Sequence, residues 1–292
     1  VKMNIKTTMR LVIPEWHGGV NPNYVLGSEF LSHIVPQSDT DKTVYIPVDT
    51  NFDEKLNRID GIDGGDLLLK QMSATKKALD KEQPDKVIVF GGDCSVTQVP
   101  FDYLHGKYGT SLGIIWLDAH PDISNTTQST HLHEMVLANL LDQNPTSSIT
   151  RVHHPFTADK VILAGLIEER LREMDRACKE LDITIISPEE LQKSNQKLIQ
   201  WIKDNHLEQI AIHWDLDVLS PVDFRSIYPA EPYADANVFP AAVGRMTLKE
   251  VGKLFSEVSS ITEIVGLSIT EHLPWDAINF RKTLAAISIF NC

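Results

Sequence analysis

The stretch Gly113-Ile114-Ile115-Trp116-Leu117-Asp118-Ala119-His120-Pro121-Asp122 joins a short apolar run to three potential metal ligands. The run Gly113–Leu117 predicts a buried strand, because a short apolar segment bounded by polar residues is typical of a strand covered on both faces. Asp118, His120 and Asp122 follow the end of that strand. Carboxylates and a neutral imidazole suit Mn²⁺ and similar divalent ions.

A second apolar run, Ile210–Trp214, is followed in the same way by Asp215 and Asp217. Either motif alone would be consistent with an ordinary turn, because Asp is common in turns. Two such motifs favour a metal site, because burying this many anions without a cation would cost a large free energy.

Short apolar runs alternate along the chain with helix-length periodic segments. Predicted strands are Thr43–Ile46, Val87–Phe90, Gly113–Leu117, Val161–Ala164, Ile183–Ile186, Gln209–Trp214 and Glu263–Ile269. Predicted helices are Gly65–Lys81, Leu132–Leu141, Glu168–Leu181, Pro188–Asp204, Thr247–Ser260 and Trp275–Phe290. This alternation predicts an α/β fold with parallel strands and helices on both faces of the sheet. The first 60 residues show no pattern of comparable clarity.

Four polar residues, Cys94, Asp118, Asp215 and Glu271, each come just after a predicted strand. Ligands of open parallel sheets bind at the carboxyl ends of the strands, so we expect these residues to share one rim. The chain has no linker-like tract rich in Pro, Gly and Ser. We therefore expect a single domain over residues 1–292.

Composition excludes several classes of protein. The 292 residues include 27 basic and 40 acidic side chains, a net charge of −13, which argues against nucleic-acid binding. The cysteines Cys94, Cys178 and Cys292 form no disulfide pattern, as expected in a reducing compartment. No apolar run approaches the roughly 18 residues of a membrane span, and the first residues lack a secretory segment. We expect a cytoplasmic protein without a membrane partner.

Four motifs together resemble the ureohydrolase superfamily, which includes arginase, agmatinase and formimidoylglutamase. They are Gly91-Gly92-Asp93-Cys94-Ser95, Asp118-Ala119-His120-Pro121-Asp122, Asp215-Leu216-Asp217 and Glu271. Their order and approximate spacing match the family over roughly residues 85–290. The resemblance implies an arginase-like, three-layer αβα sandwich with a mostly parallel central sheet, in a homo-oligomer.

The resemblance also implies a binuclear metal centre, in which six side chains hold two manganese ions bridged by hydroxide. Five of the six ligand positions are kept: Asp118, His120, Asp122, Asp215 and Asp217. By resemblance, Asp118 and Asp215 contact both ions, His120 and Asp217 serve one, and Asp122 serves the other. The sixth ligand of the family is a histidine, and Cys94 stands in its place.

Cys94 leaves two alternatives open. If it is a ligand, it binds as a thiolate, which would shift the preference from Mn²⁺ towards Zn²⁺, Fe²⁺, Co²⁺ or Ni²⁺. If it remains a thiol, the first metal site is weakened, and one of the two ions is loosely bound or absent.

Further residues match the catalytic groups of the family. By resemblance, Asp122 orients the hydroxide, His133 shuttles a proton to the leaving amine, and Glu271 pairs with the guanidinium of the substrate. His131 competes with His133 for the same match. The implied reaction is hydrolysis of a linear C–N bond in a small cationic guanidino or formimino compound, with release of urea or formamide. Arg170 lies near a position where arginases carry an acidic residue, which argues against L-arginine.

Two other hypotheses follow from the substitution at Cys94. The protein is catalytically weak or silent and binds a ligand or a partner, or Cys94 is itself the nucleophile of a thiol-based amidino reaction. His213, within an apolar strand, is predicted to be a satisfied core histidine or a group that supports a ligand, rather than a ligand itself.

Overall fold

The computed structural model describes residues 6–290 of the chain, so Cys292 and the N-terminal segment considered above lie outside the described residues. The described strands are β1 Thr8–Ile13, β2 Lys42–Tyr45, β3 Arg58–Ile59, β4 Ile62–Asp63, β5 Lys86–Gly91, β6 Leu112–Leu117, β7 Val161–Ala164, β8 Thr184–Ile186, β9 Gln209–Asp215 and β10 Glu263–Thr270. The helices are α1 Asn23–Ile34, α2 Gly65–Glu82, α3 Gln98–Tyr108, α4 Val136–Leu140, α5 Ala177–Glu180, α6 Pro188–Lys193, α7 Gln196–Asp204, α8 Leu248–Ser259 and α9 Trp275–Ala285.

Eight of these strands form one sheet in the order β2-β1-β5-β10-β9-β6-β7-β8. Every neighbouring pair in it is parallel, and β3 and β4 form a separate antiparallel pair. Helices connect successive strands and cover the sheet. The predicted α/β fold with a mostly parallel central sheet is therefore confirmed.

The strand β6 shows why three layers form. Its six residues are all buried. Ile114 and Trp116 pack in one apolar cluster with Leu104 of α3, whereas Ile115 and Leu117 pack in another. Because successive side chains of a strand point to opposite faces, an uninterrupted apolar strand supplies both cores.

The second cluster contains residues of α7 and α8, which cover the opposite face of the sheet from α3. The predicted start of α8 is confirmed, because the side chain of Thr247 accepts a hydrogen bond from the backbone N–H of Glu250. Within residues 6–290, no helix combines the length and the apolar character needed to cross a membrane.

The predicted helix over Glu168–Leu181 is wrong. The segment forms two 3₁₀ turns before the single-turn helix α5. Asp175 accepts hydrogen bonds from the backbone N–H and the guanidinium of Arg172, and Arg172 also donates to Glu134. These contacts compete with the regular hydrogen bonds of a helix.

The predicted helix over Pro188–Asp204 is instead two helices, α6 and α7. The chain is extended at Ser194, with φ −166° and ψ 142°. The Oγ of Ser194 accepts a hydrogen bond of 3.1 Å from the N–H of Gln196. Such local bonds offer the backbone an alternative to the helix, so two helices replace one.

The sequence pattern did not predict β1, α1 or α3. The strand β1 lies between β2 and β5, but Arg10 interrupts its apolar pattern and pairs with Asp41 at 2.7 Å. The helix α3 contains Pro100 and Gly106, which are poor helix formers. Tertiary contacts, rather than local propensity, therefore decide these elements.

Gly92 lies where two chain segments approach closely. A Cβ atom on Gly92 would lie 1.7 Å from the backbone oxygen of Glu15. We expect Gly92→Ala to lower the free energy of unfolding by about 3 kcal/mol, because backbone must move to admit the methyl group. Urea unfolding followed by circular dichroism measures this change.

Gly252 provides the matched control. It lies exposed in α8, and a Cβ atom added there would meet no neighbouring atom within 4 Å. Gly252→Ala should raise the free energy of unfolding by about 1 kcal/mol through helix propensity alone. Equal effects of the two substitutions would contradict the close approach at Gly92.

Candidate metal centre

The polar residues that follow the strands meet at one edge of the sheet. Asp118 follows β6, Asp215 ends β9, Glu271 follows β10, and Cys94 begins a 3₁₀ turn after β5. All four are buried. The expected shared rim is therefore present, because the carboxyl ends of parallel strands lie along the same edge of the sheet.

One group of potential ligands consists of Asp118, His120 and Asp217. The Nδ1 of His120 lies 3.4 Å from Oδ1 of Asp118 and 3.2 Å from Oδ2 of Asp217. The backbone helps to aim these side chains. The N–H of His120 donates to Asp118 at 2.7 Å, and the N–H of Asp217 donates to Asp215 at 2.8 Å.

A second group consists of Cys94, Asp118, His213 and Asp215, each with one ligand atom within 4.8 Å of those of the others. The Sγ of Cys94 donates a hydrogen bond of 2.8 Å to Oδ2 of Asp215. Asp118 belongs to both groups, in keeping with the bridging position that the family resemblance implies for it. The sequence pattern did not predict His213 as a member of this group.

Asp122 has a different position from the other acidic residues. Its backbone is left-handed, with φ 46°, and its carbonyl accepts the N–H of Leu137 at 3.0 Å. The buried Oδ2 of Asp122 has no hydrogen-bond partner within residues 6–290. Asp122 does not belong to the ligand groups found among those residues, so its ligation stays a prediction.

The electrostatics of the rim favour a bound cation. Burial, together with the charge of Asp217, raises the pKa of Asp118 to about 7. Burial and neighbouring carboxylates also raise the pKa values of Asp122 and Asp215 well above the usual range. Without a cation the rim retains protons, because the carboxylates are desolvated and repel one another.

Several buried polar atoms of the rim lack a hydrogen-bond partner among the described residues. In the described part of the chain, no hydrogen-bond partner is found for Nε2 of His120, Oδ1 of Asp217, or Nε2 of His213. Buried polar atoms normally find partners. The carboxylate oxygens and imidazole nitrogens of these residues, together with the nearby sulfur of Cys94, are donors that fit divalent cations.

The predicted catalytic residues His133 and Glu271 are in contact. The Nδ1 of His133 lies 2.9 Å from Oε1 of Glu271. Burial alone would lower the pKa of His133, but the hydrogen bond and charge of Glu271 outweigh it and raise the pKa to about 9. His131 makes no such contact among the described residues, and burial lowers its pKa. The geometry therefore favours His133 over His131.

A cavity of about 550 Å³ opens above the rim. The residues that line it include Tyr24, Cys94, His120, Asp122, His133, Asp215, Asp217, Tyr228, Phe239, Glu271 and Trp275. Tyr24 was not predicted as a site residue, because it lies in α1, within the segment that had no clear pattern. Arg170 is exposed and does not line the cavity.

The fold and this rim define an α/β protein of the arginase-like class, with a buried cluster of carboxylates and histidines at the carboxyl edge of its sheet. A sequence profile described as "Arginase family" matches residues 38–291. The chain therefore belongs to the arginase family, whose members are binuclear-metal ureohydrolases.

Individual relatives are distant. The chain is 23% identical over 142 residues to an arginase of Staphylococcus aureus (strain COL), a match that covers 47% of each chain. It is 23% identical over 218 residues to "Arginase 2, chloroplastic/mitochondrial" of Arabidopsis thaliana, covering 73% of this chain and 55% of that protein. The chain thus spans about half the length of the curated relatives it matches.

Solved structures give a broader match. Entamoeba histolytica arginase in complex with L-ornithine has a TM-score of 0.75 at 17% identity, covering 93% of both chains. Formimidoylglutamase of Bacillus subtilis has a TM-score of 0.61 at 15% identity, covering 94% of this chain and 81% of that chain. At these identities the likeness shows the fold alone.

The metal-free protein should lose stability as the pH rises from about 4 to about 7. Asp118 has a pKa of about 7 in the folded protein and 3.8 as its ordinary value. Between these values the unfolded chain binds fewer protons than the folded chain, so the free energy of unfolding falls, by up to about 4 kcal/mol.

Denaturant unfolding of chelator-treated protein at several pH values measures this dependence. Asp118→Asn is the control, because it removes the titrating group while retaining its size. The difference between the two proteins isolates Asp118 from the other carboxyls. If the free energy of unfolding of the wild type rose relative to that of Asp118→Asn over this pH interval, the result would contradict repulsion between the buried Asp118 and its neighbouring carboxylates.

Proposed function

We propose that this protein is a metal-dependent hydrolase of a linear C–N bond in a small cationic guanidino or formimino compound, and that it releases urea or formamide. The observation that carries the proposal is the set of unpartnered buried ligand atoms directly beneath a cavity that also contains the His133–Glu271 pair. Family membership supports the same chemistry. We also expect a homo-oligomer and a cytoplasmic location.

The ligands would divide between two ions. Asp118, His120 and Asp217 would hold one ion, and this set of oxygen and imidazole donors suits Mn²⁺. Cys94, Asp118, Asp122 and Asp215 would hold the other, and Asp215, like Asp118, would serve both ions. Divalent cations in such sites lower the pKa of a bound water molecule and so supply a nucleophile near neutral pH.

His133 is positioned to supply the proton that the leaving amine needs. A pKa of about 9 keeps the imidazole protonated near neutral pH. Its Nδ1 is held by Oε1 of Glu271 at 2.9 Å, so Nε2 is the nitrogen left to deliver a proton. Glu271 thereby orients His133, and its buried carboxylate also attracts a planar cation in the cavity.

The cavity wall suits a cation better than an anion. Tyr24, Tyr228 and Trp275 give it aromatic surface, and Glu231 adds an acidic group. Arg172 also lines the cavity, but its guanidinium is already bonded to Glu134 and Asp175. These bonds hold the guanidinium against Glu134 and Asp175 and partly neutralise its charge, so it attracts a substrate carboxylate less strongly, which favours a substrate without one.

Cys94 does not have the properties of a catalytic nucleophile. Burial and the surrounding carboxylates raise its pKa well above the ordinary value. A nucleophilic cysteine needs a lowered pKa, which positive neighbours usually provide. The thiol-based alternative is therefore disfavoured by the electrostatics around Cys94.

Activity should depend on metal and on Asp217. We expect release of urea or formamide from at least one member of a panel of guanidino and formimino compounds, abolished by chelators and restored by Mn²⁺ or Zn²⁺. Asp217→Asn should lower kcat/KM by at least about a hundredfold, because it removes a metal-binding carboxylate. Colorimetric assays of urea and formamide measure both effects.

Asp159→Asn is the matched control, because Asp159 is exposed and lies in the turn that directly precedes β7, at the edge of the sheet opposite the rim. It should retain full activity. Turnover that is insensitive to chelators but abolished by alkylation would instead support thiol chemistry. The absence of turnover across the panel, with metal bound, would support a silent member of the family.

Restoring the histidine of the family tests whether Cys94 is a working part. We expect Cys94→His to shift the preferred ion towards Mn²⁺, because imidazole is harder than thiolate, without a large gain in kcat. Elemental analysis after loading with each ion, together with the activity assay, measures both. A large gain in turnover would show that the natural site is degenerate.

A further inference from the structure

His213 is predicted from the sequence to be a satisfied core histidine or a group that supports a ligand, but only one of its two ring nitrogens has a hydrogen-bond partner among the described residues. The side chain is fully buried. Its Nδ1 lies 2.8 Å from Oγ1 of Thr97 and 3.2 Å from Oγ of Ser268. Its Nε2 has no hydrogen-bond partner anywhere in residues 6–290. An unpartnered buried nitrogen costs free energy, so its environment lacks a group that would bind it.

The free nitrogen is aimed at the rim. Nε2 of His213 lies 3.8 Å from Oδ2 of Asp118. Ligand atoms of Cys94, Asp118, His213 and Asp215 all lie within 4.8 Å of one another, and all four residues are buried. Two ligands on one tetrahedral ion lie about 3.5 Å apart when the bonds are about 2.0–2.3 Å long, so the 3.8 Å between Nε2 of His213 and Oδ2 of Asp118 is close to the separation of two ligands.

The parallel register explains how a residue inside a strand reaches this point. His213 in β9 is paired with Trp116 on one side and Ser268 on the other. Asp215, two residues further along β9, points to the same face of the sheet. His213 therefore lies one layer below Asp215 and belongs to the same ligand group as Asp215 and Cys94.

The ring of His213 is held by a stacking contact and by a hydrogen bond. Trp116 stacks on it with ring centroids 3.8 Å apart and an angle of 18° between the planes. Thr97 belongs to the 3₁₀ turn that begins with Cys94, so one turn supplies both the sulfur and the hydroxyl that holds Nδ1. Metal-binding histidines generally have the other nitrogen fixed in this way.

The geometry fits less well with a role in which His213 only supports Asp118 through a hydrogen bond. In that role Nε2 would donate a hydrogen to Asp118, but 3.8 Å is too long for a hydrogen bond. The same Oδ2 already accepts from Nε1 of Trp116 at 3.2 Å. His213 therefore has the position of a ligand rather than of a donor to Asp118.

We propose that Nε2 of His213 is a ligand of the metal site that contains Cys94, which we call the first site. It compensates there for the histidine that Cys94 replaces. The site would then consist of the Cys94 thiolate, His213, Asp118 and Asp215, a donor set that suits Zn²⁺ or Co²⁺ better than Mn²⁺. With His213 bound, Asp122, which does not belong to this ligand group, would not be needed as a ligand. Binding releases the thiol proton to solvent as the sulfur–metal bond forms. The inference rests on the proposed function in that it concerns the same rim.

Two unequal metal sites follow. The site of His120, Asp118 and Asp217 has no sulfur, whereas the site of Cys94 and His213 has both sulfur and nitrogen. The chain therefore selects a softer ion at the first site and a harder ion at the second. Loading with mixed ions should fill the two sites with different metals.

Titration of the metal-free protein with Co²⁺ tests the inference without any assay of activity. The wild type should bind Co²⁺ with thiolate-to-metal charge-transfer absorption and the intense visible bands of tetrahedral cobalt. His213→Gln should lower the Co²⁺ affinity of the first site by at least roughly 10–100-fold, which is the loss expected when only a group that supports a ligand is removed. It should also weaken the tetrahedral bands.

His105→Gln is the matched control. The ring of His105 stacks on Phe156 at 3.9 Å and 17°, and its Nδ1 lies 2.8 Å from the carbonyl oxygen of His154. It is thus a stacked and hydrogen-bonded histidine away from the rim. Its substitution should leave both Co²⁺ affinities and the spectrum unchanged.

Thr97→Val provides a second variant should His213→Gln fail to fold. It retains the ring and removes the hydroxyl that holds Nδ1 at 2.8 Å. The first Co²⁺ affinity should fall roughly 10–100-fold while the second stays constant. Unchanged first-site affinity and spectrum in Thr97→Val, or in a folded His213→Gln, would overturn the role of His213 and leave the proposed function standing. A wild type that binds no metal would overturn both.

Discussion

Repulsion among buried carboxylates is the constraint on which the rest of this structure depends. Asp118, Asp215 and Asp217 lie at the carboxyl edge of the sheet with little access to water. Their burial is tolerable only where protons or cations neutralise them. The surrounding groups stabilise negative charge. Backbone N–H groups donate hydrogen bonds to Asp118 and Asp215, and His120 and His213 lie beside the carboxylates.

The sheet converts this constraint into a site. Its parallel register aligns β6, β9 and β10 so that the motifs at their ends meet, although they are far apart in sequence. Glu271 is tied to the turn after β5, because its N–H donates to the carbonyl oxygen of Gly92 at 2.7 Å. A 3₁₀ turn begins two residues later, at Cys94, so the candidate metal ligands and the cavity wall are set by one framework.

The sequence predicted the parts of the fold whose local pattern agrees with their final environment. β6 is apolar throughout and buried throughout, so the pattern was sufficient. β1 was missed because Arg10 breaks its apolar run, and its ion pair with Asp41 is a contact between distant segments. The helix predicted over Glu168–Leu181 was wrong because Arg172 bonds to Glu134, which no local pattern reveals.

The sequence by itself determined which polar groups lie at the rim. The acidic residues and His120 directly follow apolar strands, so local strand and turn geometry places them at the carboxyl ends of those strands. It also determined the α/β class through the alternation of strands and helices. Only the tertiary structure decided that His133, rather than His131, contacts Glu271, and that His213 faces the candidate metal ligand Asp118. These distances depend on how strands far apart in sequence are paired, and strand register is a property of the folded sheet.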